Sequence, residues 1–485
     1  MPAKRNQRKS KVSGNSFRTH KPCTNPLQKF KELRYLWQKT SHMQTVLFDI
    51  EVKKKKADNS EWGTFRDSLR APVHGWFTYP AGFSYKAVEH SIEQANLQIG
   101  KSTIYDPFMG SGTTNLVAKS LGYNSIGVEA HPFVYRITQS KMNWEINFDE
   151  LNTTLEKIQK HLSKTECPDK LKEYLKEEFP ELILKCFLPE TLFDLLVIRN
   201  SIVKLNLSQN LSEFLRTALI CVLRDVSIAA TGWPYIAPNK VKVTSMSKKG
   251  WETYKNRVYK MYGDIVEIKK KAHKGENEHQ IINGDSRNTV GQVADESADH
   301  IFTSPPYLNN FDYADRTRLE LYFMGEAKNW GEISDQVRTK LMTSATTQIN
   351  RSDKRYQFLE GFKFECPDQY SFLSNAVDRL SKLRLTKGGK KSYDLMTVGY
   401  FNDIYQIIKD NFRILRPGSK ALYILGDSAP YGVHIATDEL IGQIGVAIGF
   451  SNYQIQILRE RGGKWEKNPQ RHNVMLRESV VILEK

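Results

Sequence analysis

The sequence of 485 residues is poor in cysteine, and its five cysteines are scattered rather than paired at short spacing. Zinc sites and disulfide frameworks both need such pairs, so we expect neither a structural metal nor a disulfide scaffold. The chain also lacks an apolar run long enough to cross a bilayer, and its first residues lead into a polar stretch rather than an apolar signal core. We therefore predict a cytoplasmic protein with no membrane partner.

Acidic residues are fewer than basic ones. The chain has 54 Asp and Glu against 71 Lys and Arg, which gives a net charge of +17. Such an excess favours a polyanionic partner. Most of it lies in residues 1–56, where 15 basic residues face three acidic ones, a net charge of +12. We interpret residues 1–60 as a basic, partly disordered extension that either neutralises nucleic-acid phosphates or is a solvated tail. Within it, Lys53–Lys56 and the residues that follow are predicted to form an exposed turn.

From residue 102 onward, short apolar segments alternate with helical patterns, which is typical of the α/β class. Core strands are predicted at 104–105, 125–128, 280–282, 300–302 and 421–425, and a closing β-hairpin at 453–458 and 474–483. An amphipathic helix is predicted from Tyr400 to about Leu415. Together these elements predict one mostly parallel sheet of about seven strands with a C-terminal β-hairpin.

Two stretches are too long to be ordinary connections between these strands. We predict that residues 135–275 form a mostly helical insertion and that residues 310–395 form a second one. The catalytic domain then consists of residues 61–134 and 276–485. In the first insertion, an aromatic stripe that begins at Trp251 follows helical spacing beside many lysines. We favour a helix that packs this stripe on the core over a track for a nucleic-acid strand.

A glycine-rich turn, DPFMGSGTT at residues 106–114, joins the first core strand to the next helix. Glycine lets the backbone approach a ligand closely, and the amides of a helix N-terminus point towards that ligand. The turn lacks the Gly-Lys-Ser/Thr ending of a phosphate-binding loop, which disfavours ATP hydrolysis. Glu129, at the end of the second strand, is placed to accept hydrogen bonds from ribose hydroxyls, although alone it could be a surface carboxylate.

The fourth core strand leads directly into the tetrapeptide Ser304-Pro305-Pro306-Tyr307. Its two prolines remove two backbone donors and stiffen the loop, which leaves carbonyl oxygens free to accept from an amine. The aromatic ring that follows offers a face on which a displaced base can stack. In isolation the tetrapeptide would be an ordinary tight turn, but the glycine turn and the acidic strand ends favour a functional site.

Taken together, these segments resemble the amino-methylating DNA methyltransferases, which modify cytosine N4 or adenine N6. The resemblance implies a Rossmann-like class I methyltransferase fold that binds S-adenosyl-L-methionine. It also implies that the catalytic loop consists of Ser304, Pro305, Pro306 and Tyr307. The implied cofactor-binding residues are Phe83, which lies in the upstream segment HGWFTYPAGF, and Asp106, Phe108, Gly110, Gly112, Thr113, Glu129 and Asp285.

The resemblance further implies direct methyl transfer to a base that is flipped out of double-stranded DNA. Serine before the Pro-Pro pair usually accompanies cytosine-modifying members, so Ser304 favours cytosine N4, with adenine N6 as the alternative. We expect the side chains of Ser304 and Tyr307 to act on the flipped base rather than on the core. Residues 310–395 are the candidate for target recognition, and a cognate restriction endonuclease is a candidate partner.

Two other functions stay open from the sequence. An RNA base-amine methyltransferase could use the same loops, but the sequence contains no recognisable RNA-binding module. A catalytically silent nucleic-acid-binding subunit could keep the fold, but the intact glycine turn and tetrapeptide disfavour it.

Overall fold

The structure, a computed structural model, describes residues 54–56, 61–79, 82–230, 235–245, 248–461 and 474–485. The predicted disorder of the basic extension therefore lies outside the described residues, apart from the short segment 54–56. No helix within these ranges is long and apolar enough to cross a membrane. The same ranges contain no cluster of histidine, cysteine or acidic side chains that could hold a metal ion.

One sheet of eight strands forms the centre of the molecule, in the order β1-β9-β10-β8-β7-β2-β3-β6. Its strands are β1 (Lys54–Lys56), β2 (Thr103–Asp106), β3 (Asn124–Glu129), β6 (His279–Asn283), β7 (Ala298–Thr303), β8 (Leu415–Gly426), β9 (Asn452–Arg461) and β10 (Leu476–Glu484). The five strands from β8 to β6 are parallel, whereas β10 is antiparallel to both β8 and β9. The predicted Rossmann-like sheet with its C-terminal hairpin is thus confirmed.

The short strand β1 shows that the prediction of an exposed turn over Lys53–Lys56 is wrong. Lys54–Lys56 pair in parallel with Ile455–Ile457 of β9 at one edge of the sheet. A run of lysines suggests a turn by its composition. Strand pairing uses backbone groups, however, so charged side chains do not prevent it, and charged residues are common on edge strands. The pairing partner lies about 400 residues away in the chain, so no local pattern could have revealed it.

The order of the strands reverses between β2 and β7. From β2 the sheet extends through β3 to β6 on one side, and from β7 it extends to β8 on the other. In open parallel sheets, a ligand crevice forms outside the carboxyl ends of the strands at such a reversal. Asp106 ends β2 and Thr303 ends β7, so the glycine turn and the serine tetrapeptide begin at this point.

Sixteen α-helices are assigned within the described ranges, and most of them occupy the two long connections. They are α1 (Tyr85–Gln94), α2 (Thr113–Leu121), α3 (Pro132–Met142), α4 (Phe148–Lys164), α5 (Leu171–Glu178), α6 (Glu181–Cys186), α7 (Pro189–Lys204), α8 (Gln209–Val226), α9 (Gly250–Lys271), α10 (Tyr313–Arg316), α11 (Arg318–Met324), α12 (Trp330–Ile333), α13 (Glu360–Glu365), α14 (Pro367–Thr386), α15 (Tyr393–Ile414) and α16 (Thr437–Ile448). In α9, Trp251, Tyr254 and Val258 are buried, so the aromatic stripe packs on the core as predicted. The division of the chain into a catalytic domain and two insertions stays a prediction.

Candidate active site

A cleft lies at the carboxyl ends of β2 and β7, where the strand order reverses. It contains about 860 Å³ of empty space, including solvent at its mouth. The predicted site residues in its wall are Phe83, Phe108, Gly110, Thr113, Glu129, Asp285, Ser304 and Pro306. Asp106, Gly112, Pro305 and Tyr307 are not among its lining residues.

The glycine turn adopts a backbone conformation that favours glycine. Gly110 has a φ of +52° and Gly112 a φ of +82°, both in the left-handed region. Gly112 precedes the first residue of α2, and a Cβ there would lie 2.6 Å from the Thr138 side chain. The Thr138 hydroxyl also donates to the Gly110 carbonyl oxygen, at 2.7 Å. The turn is therefore held in one shape, with the first residue of α2, Thr113, in the cleft wall.

Glu129 is a buried carboxylate in the cleft wall rather than a surface group. Its Oε2 accepts from the Gly110 amide at 2.9 Å, and its Oε1 accepts from the His131 amide at 2.8 Å. Burial raises the pKa of Glu129 to about 7. The charge of Asp106 adds to this increase, whereas the two amide hydrogen bonds oppose it. Each oxygen keeps a further lone pair for a ligand hydroxyl, so Glu129 can both hold the turn and receive a ribose.

Asp285 is fixed at the opposite side of the cleft by an arginine. The Arg287 guanidinium donates to both carboxylate oxygens of Asp285, with its shortest contact at 2.6 Å, and to the buried Asp403 at 3.1 Å. Asp403 also accepts from the Thr343 amide at 2.8 Å. The network therefore joins Asp285, two residues after β6, to Thr343, which directly follows residues 340–342 in the cleft wall. Sequence reasoning missed Arg287 and Asp403, because 116 positions separate them in the chain.

Asp106 lies behind the cleft wall and connects the two central strands. Its Oδ1 accepts from the Thr303 hydroxyl at 2.6 Å and from the Phe108 amide at 3.0 Å. Burial raises the pKa of Asp106 to about 6, against the opposing hydrogen bond from Thr303. Its Oδ2 has no hydrogen-bond partner among the described residues. This position shows that Asp106 holds the glycine turn against the end of β7; its direct contact with a cofactor stays a prediction.

Ser304 presents an unsatisfied hydroxyl to the site. Its Oγ is buried, and it has no hydrogen-bond partner in the described part of the chain. The Tyr307 hydroxyl lies close to it but donates to Glu478 instead, at 2.8 Å. A buried hydroxyl without a partner is costly unless a ligand completes its hydrogen bonds. Ser304, which lines the cleft beside Pro306, is thus suited to bind a polar group of a substrate.

Tyr307 differs from the prediction, because its side chain belongs to the core. The residue is 6% exposed and packs in the hydrophobic cluster that contains residues of β8, β9 and β10. The Arg461 guanidinium lies over its ring, 5.4 Å from the centroid. The side chain is part of the core, contrary to expectation, because the C-terminal strands pack over it, whereas its role as a catalytic residue stays a prediction. Truncation to alanine would therefore reduce stability as well as any effect on substrate.

Two tyrosines and a lysine complete the site, and sequence reasoning singled out none of them. Tyr79 and Tyr313 both line the cleft, with ring centroids 5.5 Å apart. Lys141 of α3 is fully buried, and its ammonium donates to the carbonyl oxygens of Ser111, at 2.8 Å, and His74, at 3.1 Å. Burial lowers the pKa of Lys141 to about 7. Of the three, only Tyr79 could have been found from the sequence, because it lies in the upstream segment HGWFTYPAGF that resembles a cofactor-side motif.

Comparisons with known proteins agree on one kind of enzyme. A family model described as DNA methylase, N6_N4_Mtase, matches residues 3–140. The chain is 27% identical to the Type II methyltransferase M.BsoBI of Geobacillus stearothermophilus, over 90% of each protein. It is 23% identical to the Type II methyltransferase M.AvaI of Anabaena variabilis, over 81% of this chain and 82% of the relative. It is 22% identical to the Type II methyltransferase M.MvaI of Kocuria varians, over 88% of this chain and 90% of the relative.

Proposed function

We propose that the chain is an amino-methylating DNA methyltransferase, as the family model and the relatives suggest, and that it methylates the N4 amine of cytosine in double-stranded DNA. The methyl donor is S-adenosyl-L-methionine, and the target base is flipped out of the duplex. The observation that carries this proposal is the position of the unsatisfied Ser304 hydroxyl in the same cleft as the glycine turn and Glu129. The family description, DNA methylase, supports DNA over RNA as the substrate, and the relatives named methyltransferases support an enzyme over a silent subunit.

The residues of the cleft fit S-adenosyl-L-methionine. Gly110, in the left-handed conformation, lets the backbone approach the ligand, and a Cβ at this position would meet nothing closer than 3.6 Å. Glu129 would accept from the ribose hydroxyls, and Asp285 would accept from the adenine amine. Phe83 and Phe108 form apolar parts of the cleft wall. The cofactor supplies an activated methyl group on a sulfonium, and this chain's residues supply the alignment.

Catalysis in this proposal consists of holding the target amine. Ser304 Oγ accepts one N–H of the amine, and the Pro305 carbonyl oxygen accepts the other. These two bonds would orient the amine so that its nitrogen lone pair is directed towards the methyl donor. The prolines carry no N–H, so no backbone donor at either position competes for that lone pair. Correct alignment of the two reactants can account for most of the rate enhancement.

We expect the product to be N4-methylcytosine. A neutral serine hydroxyl can accept from the cytosine amine and donate to the neighbouring ring N3, whereas a carboxylate could only accept. Purified protein would be incubated with DNA and isotopically labelled cofactor, and the digested nucleosides would be analysed by mass spectrometry. Label in methyladenosine, with none in methylcytidine, would show that the adenine alternative is correct. Ser304→Ala protein, treated identically, controls for contaminating methyltransferases.

We expect the affinity for S-adenosyl-L-methionine to increase with pH up to about pH 7. Burial raises the pKa of Glu129 to about 7 in the free protein, and donation by ribose hydroxyls favours the charged carboxylate. Binding therefore lowers this pKa and releases a proton, and the affinity falls as the pH drops below about 7. Titration calorimetry in two buffers of different ionisation enthalpy measures both the affinity and the proton release.

The isosteric Glu129→Gln variant is the control for this pH dependence, because glutamine keeps the shape of the side chain but cannot ionise. Its cofactor affinity should be weaker and nearly independent of pH over the same range. If the variant keeps the full pH dependence of the wild type, another group is responsible, and the proposed role of Glu129 is incorrect. Asp106→Asn tests the nearest other buried carboxyl, whose pKa is raised to about 6.

Residues 310–395 are our proposed segment for target recognition. They contribute Tyr313 and residues 340–342 to the cleft wall, which supports a position next to the flipped base.

We also propose a restriction endonuclease of the same recognition sequence as the functional partner, because the relatives are named Type II methyltransferases. Methylation of that sequence would protect host DNA from the nuclease.

A further inference from the structure

A two-stranded hairpin follows α8, outside the main sheet. Its strands are β4 (Ala229–Ala230) and β5 (Ala237–Val241), which pair antiparallel. Around it, residues 226–251 contain four lysines and no acidic residue, although the chain as a whole has 54 acidic residues. An acid-free segment of this length has a locally positive potential, which favours a polyanion.

The two lysines of this hairpin have no acidic partner in the part of the chain that the structure describes. Lys240 is exposed and Lys242 is partly exposed, and neither side chain has an ion pair or hydrogen bond with any described residue. In residues 310–395, by contrast, many basic side chains pair with acids, as Arg338 does with Asp312 and Arg351 with Asp394. Beside the free lysines, Val241 and Val243 are 60% and 73% exposed. The hairpin thus presents both free positive charge and apolar surface.

The hairpin is attached directly to the segment that follows the catalytic loop. Tyr235, just before β5, accepts a hydrogen bond at its hydroxyl from the Asp312 amide, at 3.1 Å. Its ring also meets the Phe311 ring edge to face, with centroids 6.5 Å apart. Asp312 caps α10, whose first residue, Tyr313, lines the cleft together with Ser304. These contacts place the hairpin beside the segment that contributes Tyr313 to the cleft wall.

A buried ion network fixes the base of the hairpin to the same region. Arg224, near the end of α8, donates to Glu320 at 2.6 Å and to the Arg316 carbonyl oxygen at 2.7 Å. Arg316 donates to Glu320 at 3.2 Å and to the Thr78 carbonyl oxygen at 2.7 Å. Glu320 is fully buried and accepts hydrogen bonds from both arginines, so it connects the end of α8 to residues 316–320. The base of the hairpin is therefore rigidly joined to the cleft.

We propose that this hairpin binds the sugar-phosphate backbone of DNA beside the flipped base, with Lys240 and Lys242 contacting phosphates. The inference rests on the proposed function, because it assumes that DNA enters the cleft. The exposed valines and Tyr235 pack against sugars at the same place, where desolvation strengthens the lysine contacts. Backbone contacts of this kind fix the register of the duplex on a protein without reading its sequence. The hairpin thereby positions the target base over Ser304.

The test is the affinity of the full chain for a random-sequence duplex, measured by fluorescence anisotropy at several salt concentrations. Lys240→Gln/Lys242→Gln should bind about tenfold more weakly at low salt, and its slope of log affinity against log salt should be smaller by up to about two. The matched control is Lys270→Gln/Lys274→Gln. Both of its lysines are exposed, and the nearby His273 amide bonds to Ser120 O near the end of α2, away from the cleft. The control should bind like the wild type.

Equal affinity and equal salt slope for the hairpin variant and the wild type would overturn the proposal, as would an equal loss in the control variant. Cofactor affinity and thermal stability should be unchanged in both variants, because neither changes a residue of the cleft. The result is separable from the proposed function. If the wild-type protein methylated no base, the proposed methyltransferase function would be incorrect. The difference in DNA affinity between the two double variants would still decide whether the hairpin binds DNA.

Discussion

Ser304→Ala should lower the rate of methyl transfer by about a hundredfold or more and leave the fold intact. In the structure, Ser304 Oγ is buried with no hydrogen bond assigned to it among the described residues, and the Tyr307 hydroxyl beside it is held by Glu478, so its removal should disturb the fold little. With substrate bound, the same hydroxyl would accept from the target amine. Removal of one positioned group typically costs roughly 2 to 3 kcal/mol of transition-state stabilisation, which corresponds to such a loss in rate.

Single-turnover methylation kinetics, with cofactor titration and thermal unfolding on the same sample, would separate catalysis from binding and folding. Ser120→Ala is the matched control, because the Ser120 hydroxyl is also buried without a partner but lies near the end of α2, outside the cleft wall. The control should retain the wild-type rate. A wild-type rate in Ser304→Ala would instead remove the tetrapeptide from the mechanism.

Gly110→Val should weaken binding of S-adenosyl-L-methionine by about a hundredfold or more, with DNA affinity largely preserved. Gly110 has a φ of +52° and lines the cleft between Glu129 and the first residues of α2. A branched side chain would occupy the space into which the ligand must come. It would also strain the left-handed backbone by about 1 to 2 kcal/mol and disturb the amide that donates to Glu129. Calorimetry with the cofactor would measure the loss.

Gly100→Val separates backbone strain from ligand contact. Gly100 also has a positive φ, of +77°, but a Cβ there would meet nothing within 4 Å, and the residue lies before β2, at the other end of that strand. Both variants should lose a similar amount of stability, but only Gly110→Val should lose cofactor affinity. Cofactor binding equal to that of the wild type in Gly110→Val would overturn the assignment of the glycine turn.

The sequence determined the class of the fold and most of the candidate site. The core strands carry short apolar runs; β2 and β3 each end on an acidic residue, β6 is followed by Gly284 and Asp285, and β7 is followed by the serine tetrapeptide. Since the carboxyl ends of parallel strands lie at one edge of a sheet, residues placed there by local pattern must converge. This is why eight of the predicted residues, including Glu129 and Ser304, line one cleft although the segments are far apart in sequence.

Tertiary structure alone decided how those residues are supported and which of them line the cleft. Tyr307 turned out to be a core residue because β10 brings Glu478 to its hydroxyl, and Asp106 lies behind the cleft wall because Thr303 binds its carboxylate. The edge strand β1, the Arg287–Asp403 pair and the position of the basic hairpin beside Asp312 depend equally on contacts between distant segments. Such contacts form between surfaces that exist only after the chain has folded, so local sequence patterns do not encode them.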